Sequence, residues 1–162
     1  MKTSHMLATV ALVIIGITCA RIGEDRVATS EDDMVAVARM LVSLDRIAAE
    51  EDLEEFLSYV ADDAVFMPPD EPAIVGVQAI AAWYRNAYHQ VDFEMTHEPL
   101  EVDAAGDHII HRGNATGTMT PEGGGEPIPL DNKYLMVLKK QPDGSLKLWR
   151  ACFNSNAPPP TR

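Results

Sequence analysis

Two neighbouring side chains, Lys133 and Tyr134, stand in a segment whose residues alternate as they do in a β-strand. One of the two therefore faces the interior and the other faces solvent. An inward Lys133 could bind or protonate an oxygen in apolar surroundings, whereas an outward one is a solvated cation beside a packed tyrosine. An inward Tyr134 would offer its hydroxyl to a ligand. The sequence leaves both orientations open.

His97 is the third candidate for proton chemistry. It follows Phe93 and Met95 at two-residue spacing, so the three side chains share one face of a strand. An imidazole titrates near neutral pH, which suits a general acid or base, although a hydrogen-bonded core histidine fits the same pattern. His108 and His111 are an odd number of residues apart on a strand and point to opposite faces, so we expect no metal site there.

The composition excludes several functional classes. Thirteen basic and 25 acidic residues among 162 leave a formal charge of −12, which repels nucleic-acid phosphates. There is no dinucleotide fingerprint, and we expect no organic cofactor. Two cysteines, Cys19 and Cys152, are too few for a disulfide scaffold, and we expect Cys152 to be a buried, unreactive thiol.

The first twenty residues have the pattern of an export signal. An uncharged, mostly apolar run at 6–17 is long enough for a signal-peptide core and too short to span a bilayer. Residues 1–20 are predicted to be removed after Ala20, or alternatively before a lipid-modified Cys19. The protein is therefore expected to be periplasmic or secreted, with membrane attachment only if Cys19 carries lipid.

The remaining chain predicts one α+β domain. Apolar spacing of three and four residues predicts helices, and alternation predicts strands. The helices are expected at 30–49, 53–59 and 77–88, and the strands at 64–67, 92–102, 108–119, 132–140 and 146–153. Helices followed by a long, strongly curved antiparallel sheet form a cone with an apolar interior. A Pro-rich tail at 157–162 is expected to lie outside the ordered fold.

Several short motifs in this order resemble the nuclear-transport-factor-2-like superfamily. They are YVADDAVF at 59–66, VGVQAI at 75–80, KYL at 133–135, QPDG at 141–144 and WR at 149–150. Together they are similar to the SnoaL-like branch, in particular its SgcJ/EcaC family. The resemblance covers residues 28–156 and implies a cone-shaped, cystatin-like roll with three N-terminal helices. It also implies a homodimer formed through the outer face of the sheet.

The same resemblance implies where a site would lie. Aligned on the ketosteroid isomerases, which share the cone, the tyrosine position falls at Leu44 and the base position at Pro68, so isomerase chemistry of that kind is disfavoured. Trp149 and Phe153 share one strand face, which the resemblance turns into the cavity as an apolar wall. Trp83 and Tyr84 on the third helix are expected to guard the cone or to fill it.

Two hypotheses about function remain. The first is a cofactor-free acid–base enzyme, of isomerase, cyclase or hydrolase type, acting on a small apolar or polyketide-like molecule. Its proton-transfer candidates are Lys133, Tyr134 and His97, and its ligand-binding candidates are Trp83, Tyr84, Trp149 and Phe153. The alternative is a non-catalytic ligand-binding or dimerisation module, which a mostly apolar cavity wall would favour.

Overall fold

The computed structural model describes residues 29–157, so the predicted leader and residues 158–162 of the predicted tail lie outside the described part. Its helices are α1 (Glu31–Glu50), α2 (Leu53–Ser58) and α3 (Val77–Tyr88). Its strands are β1 (Val60–Met67), β2 (Ile74–Val75), β3 (Val91–Ala105), β4 (His108–Pro121), β5 (Ile128–Lys140) and β6 (Leu146–Ser155). The α+β fold predicted from the sequence is confirmed.

Helix α1 is the long element around which the sheet bends. It begins at Ser30, whose side-chain oxygen accepts a hydrogen bond from the Asp33 backbone N–H at 3.0 Å. It ends at Glu51, which adopts a left-handed conformation with φ of 55°. Its buried side chains recur every three or four residues and form one stripe facing the sheet: Val37, Met40, Leu41, Leu44, Ile47 and Ala48.

The sheet has six strands in the order β2-β1-β6-β5-β4-β3. Neighbouring strands are antiparallel in every pair except β1 and β6, which run parallel. The curved antiparallel sheet predicted from the sequence is present in β3–β6, and the parallel pairing of β1 with β6 was not predicted. The reason is topological: α3 carries the chain to the far edge, and the four-strand meander β3–β6 returns with β6 beside β1 in the same direction. The short strand β2 was not predicted, and β1 and β5 each begin four residues earlier than expected.

Two glycines on β4 allow the close approach of β3 that the curvature needs. A Cβ on Gly117 would lie 1.8 Å from the Glu94 carbonyl oxygen, and one on Gly113 would lie 2.1 Å from that of Glu98. The ladder between these strands also changes register between Pro99 and Glu101. Such irregularities bend a strand and increase its twist, so the sheet can wrap around α1.

The core lies between the inner face of the sheet and the three helices. Its large side chains that are no more than 2% exposed include Ile47, Phe66, Ile80, Ile109 and Leu138. No helix within residues 29–157 is long and apolar enough to cross a membrane.

Candidate functional site

The open end of the cone contains a cavity of about 490 Å³. Its wall is mostly apolar, with side chains from all three helices and from β1, β3, β4, β5 and β6. A volume of this size holds a small organic molecule. The polar groups of the wall are few, and two of them, His97 and Asn132, lie on neighbouring parts of the inner sheet face.

An aromatic cluster forms one side of the cavity. Tyr84 of α3 lies at its centre, with its ring centroid 4.2 Å from that of Phe56 and 5.0 Å from that of Trp83. The Trp83 ring also approaches Phe153 at 6.2 Å, and its Nε1 donates to Glu71 Oε2 at 3.0 Å. Burial raises the pKa of Tyr84 far above its usual value, so its hydroxyl stays neutral. Three of the predicted ligand-binding residues, Trp83, Tyr84 and Phe153, therefore line the cavity together.

His97 lines the cavity, and its imidazole contacts Asp45, a residue of α1. Its Nδ1 donates to Asp45 Oδ1 at 2.5 Å, and its backbone N–H donates to the same carboxylate at 3.2 Å. The two side chains are 10% and 20% exposed. Because Asp45 holds Nδ1, the other ring nitrogen, Nε2, is the one left for a ligand. A carboxylate that orients an imidazole in this way fixes its tautomer and stabilises its protonated form.

Tyr134 lies inward on β5, between two imidazole rings. Its ring meets that of His97 at 5.2 Å and that of His111 at 5.4 Å, both edge to face. Burial raises the pKa of Tyr134 to about 12, and burial lowers the pKa of His111 to about 4, so both are neutral at pH 7. Within residues 29–157, the Tyr134 hydroxyl and both ring nitrogens of His111 are buried without a hydrogen-bond partner.

Lys133 lies outside the cavity, which corrects its candidacy as a proton donor there. Its ammonium donates to the Ser155 backbone oxygen at 2.9 Å on the outer face. The alternation of β5 explains this, because an inward Tyr134, only 4% exposed, requires an outward Lys133. Of the two orientations that the sequence left open, Lys133 therefore has the solvent-facing one.

Trp149 also lies outside the cavity, and the expectation that it lines the wall is wrong. The register of β6 shifts around it, since Leu148 pairs with Leu138 and Arg150 with the adjacent Val137. This β-bulge turns both Leu148 and Ala151 inward and leaves Trp149 outside. There its Nε1 donates to Asp63 Oδ2 at 3.0 Å, and its ring lies against His108 and the Arg150 guanidinium.

The sequence reasoning missed Asp45 and assigned no role to His111. One signal for Asp45 was available, because a carboxylate stands next to the apolar stripe of α1, between Leu44 and Ala48. No local pattern pairs it with His97, which is 52 residues away. His111 lies on the inner face and His108 on the outer face, at opposite sides of β4.

Residues 29–157 contain no group of three or more His, Cys, Asp or Glu side chains placed to hold a metal ion. Cys152 is partly exposed on the outer face, and this corrects the expectation of a buried thiol. It lies beside Leu135, its register partner on β5.

Solved structures with the same fold support this description. A ketosteroid isomerase-like protein from Erwinia carotovora is 28% identical, with a TM-score of 0.67, and the match covers 84% of this chain and 99% of that one. A candidate dehydratase of the NTF2-like family from Streptomyces avermitilis is 15% identical, with a TM-score of 0.69, over 80% of this chain and 100% of that one. A candidate scytalone dehydratase from Novosphingobium aromaticivorans is 14% identical, with a TM-score of 0.67, over 77% and 85%. Because the two candidate dehydratases are so distant in sequence, the likeness to them shows the fold alone.

No curated protein matches the chain. The family profile described as a SnoaL-like domain matches residues 43–149, which include both Asp45 and His97. That match spans about two thirds of the 162 residues. The curved six-stranded sheet agrees with it. The chain therefore belongs to the SnoaL-like family, with the cone-shaped fold of the NTF2-like proteins.

Proposed function

We propose that this protein is a cofactor-free enzyme that moves a proton on a small, uncharged, mostly apolar molecule. The observation that carries the proposal is the 2.5 Å contact between His97 Nδ1 and Asp45 Oδ1 at the end of a largely apolar cavity. An imidazole held by a carboxylate, with its second nitrogen free, is the arrangement of a general base.

The chemistry follows from the two ring nitrogens. Nδ1 keeps its proton because it donates to Asp45, so Nε2 carries the lone pair that takes a proton from a carbon beside a carbonyl group. Asp45 then stabilises the imidazolium cation. The same Nε2–H can return the proton to another carbon, which is isomerisation, or to a departing hydroxyl group, which is dehydration. The Tyr134 ring packs against His97 and acts here as a positioning residue.

The named relatives support proton-transfer chemistry. One is named as ketosteroid isomerase-like and two as candidate dehydratases. Both kinds of reaction include the removal of a proton from carbon. The present site reaches this chemistry through His97 and Asp45 rather than through the positions of Leu44 and Pro68, which carry no titratable group.

The cavity wall supports an uncharged aromatic or alicyclic substrate. Tyr84, Phe56, Trp83 and Phe153 offer ring faces and edges, and three methionines add adaptable apolar surface: Met95, Met119 and Met136. The carboxylate of Glu71 at the wall, and a net charge of −12, disfavour an anionic substrate.

Deuterium exchange of 2-acetylnaphthalene tests the proposal, because this uncharged aromatic ketone has acidic protons beside its carbonyl. Exchange in D₂O is followed by proton NMR for the wild type and for His97→Asn and Asp45→Asn. We expect catalysed exchange in the wild type and a loss of about 10²- to 10⁴-fold in His97→Asn. Equal rates in the wild type and His97→Asn would contradict the proposal and leave the non-catalytic binding module as the better hypothesis.

We also propose that a second copy of the chain covers the outer sheet face. Met67, Cys152 and Leu135 are register neighbours across β1, β6 and β5, and they form an apolar row on that face. Met67 and Leu135 are 38% and 49% exposed, and Ile110 on β4 adds a further 38% exposed side chain. Exposed apolar side chains on one sheet face support association, and a two-fold axis would bring the same patch of two copies into contact.

A further inference from the structure

One row of the inner sheet face carries three polar residues of the cavity wall, one each on β3, β5 and β6. His97 on β3 pairs with Ala115 on β4, Ala115 pairs with Asn132 on β5, and Asn132 pairs with Ser155 on β6. All four residues line the cavity. His97 and Asn132 are two strand spacings apart, about 9–10 Å between their Cα atoms. Because Ala115 has only a methyl group, the space between the imidazole and the amide is open to a ligand.

Asn132 is half-buried, and its side chain forms no hydrogen bond to another described residue, although its amide can make several. It stands between two buried inward neighbours, Leu130 and Tyr134, that are 7% and 4% exposed. Because Asn132 lines the cavity and is only half-buried, its amide is open to a ligand there. Ser155 lies beside it, and its Oγ accepts the Ala157 backbone N–H at 3.0 Å, which leaves the hydroxyl proton free to donate.

The outward neighbours of Asn132 hold it in place. Asp131 accepts two hydrogen bonds from Asn156 at 2.8 Å, one to its backbone oxygen and one to Oδ1. Lys133 donates to the Ser155 backbone oxygen at 2.9 Å. These contacts tie the start of β5 to the end of β6 and fix the positions of Asn132 and Ser155 relative to His97. This is a positioning role for Lys133, in place of the catalytic role first expected of it.

We propose that Asn132, with Ser155 beside it, forms a subsite for a carbonyl or hydroxyl oxygen of the ligand. The inference rests on the proposed function, because it places that oxygen next to the carbon from which His97 removes a proton. An amide N–H that donates to a carbonyl oxygen also stabilises the negative charge that develops there when the proton leaves. The enzyme therefore selects ligands with an oxygen at one end and an apolar ring system that reaches the aromatic cluster around Tyr84.

The test compares two probes with the same ring system, 2-acetylnaphthalene and 2-ethylnaphthalene, in which a methylene group replaces the carbonyl group. Dissociation constants are measured by titration calorimetry for the wild type and for Asn132→Leu. Asn114→Leu is the matched control, since Asn114 is on the outer face of β4 opposite Lys133. We expect Asn132→Leu to change the ratio of the two affinities by about 3- to 10-fold in favour of the ethyl probe. Asn114→Leu should leave the ratio unchanged.

An unchanged ratio in Asn132→Leu overturns the subsite, and so does a wild type that binds neither probe. The binding ratio involves no turnover, whereas the exchange rates with His97→Asn test the catalysis. A ratio that depends on Asn132, together with exchange that does not depend on His97, would keep the subsite and reject the enzyme. The reverse pattern would keep the enzyme and reject the subsite. In the exchange reaction, Asn132→Leu should raise KM and lower kcat, and Asn132→Gln should restore part of both.

Discussion

The phenol ring of Tyr134 occupies the space that a side chain at Gly113 would need. The two residues are register partners on β5 and β4. A Cβ built on Gly113 would lie 2.5 Å from Tyr134 Oη and 2.7 Å from its Cζ. The missing side chain therefore allows the ring to lie over Gly113 and to pack between His97 and His111. The Tyr134 ring therefore explains why a glycine stands at position 113, in the middle of a strand.

Gly113→Ala should destabilise the fold by about 1–3 kcal/mol, because the new methyl group displaces the Tyr134 ring and meets the Glu98 carbonyl oxygen. Urea denaturation measures this loss. In a Tyr134→Ala background the cost should fall, and the difference between the two costs is the coupling between the residues. If Gly113→Ala costs the same free energy in both backgrounds, the cost does not come from contact with the Tyr134 ring.

Asp45 links α1 to the edge strand β3, and Asp45→Ala should cost about 1–3 kcal/mol of folding free energy. The substitution leaves both the His97 backbone N–H and Nδ1 without their acceptor. Asp45→Asn retains an acceptor oxygen and should cost less, yet it should lower proton exchange about 10²-fold or more, because an amide does not stabilise the imidazolium. Urea denaturation and the exchange assay separate the two effects. Parallel losses of stability and activity in Asp45→Asn would contradict this division.

The elements of this fold could be predicted from local patterns, whereas the ladder between β1 and β6 could not. Helix α3 has the predicted bounds, since its apolar spacing and the glycine before it are both local signals. The parallel pairing of β1 with β6 depends on where a four-strand meander returns, which no segment encodes alone. Trp149 was placed on the wrong face for a related reason: one extra residue in a strand reverses the alternation, and no residue near Trp149 indicates a bulge.

One residue of the candidate site, His97, could be predicted from the sequence, whereas Asp45 and Asn132 could not. His97 could be predicted to face inward from Phe93 and Met95, which line the same cavity. Its partner could not, because Asp45 belongs to a helix and the contact depends on how α1 crosses the sheet. Asn132 stands at the predicted start of β5, and only the pairing of both residues with Ala115 places it in one row with His97.

Leu135→Lys on the outer sheet face should convert the proposed dimer into a monomer. A charge at this 49% exposed position would be buried against its symmetry mate without a partner. Sedimentation velocity measures the state of the wild type and the variant. Val42→Lys on α1 is the matched control, since Val42 is 70% exposed and away from the sheet. A monomeric wild type, or a dimer that survives Leu135→Lys, would reject this interface.

His111 should make the protein less stable in acid. Burial lowers its pKa to about 4 in the folded state, against 6.5 for the free side chain. Between these values the unfolded chain binds a proton that the folded chain does not, so stability falls as the pH is lowered from about 6.5 to about 4. The loss should approach about 3 kcal/mol, since each pKa unit is worth about 1.4 kcal/mol. Carboxylates titrate in the same range, so urea denaturation of His111→Phe at each pH serves as the reference. Parallel pH profiles for the two proteins would show that His111 is not the group that titrates, whereas a difference confined to this range would identify it.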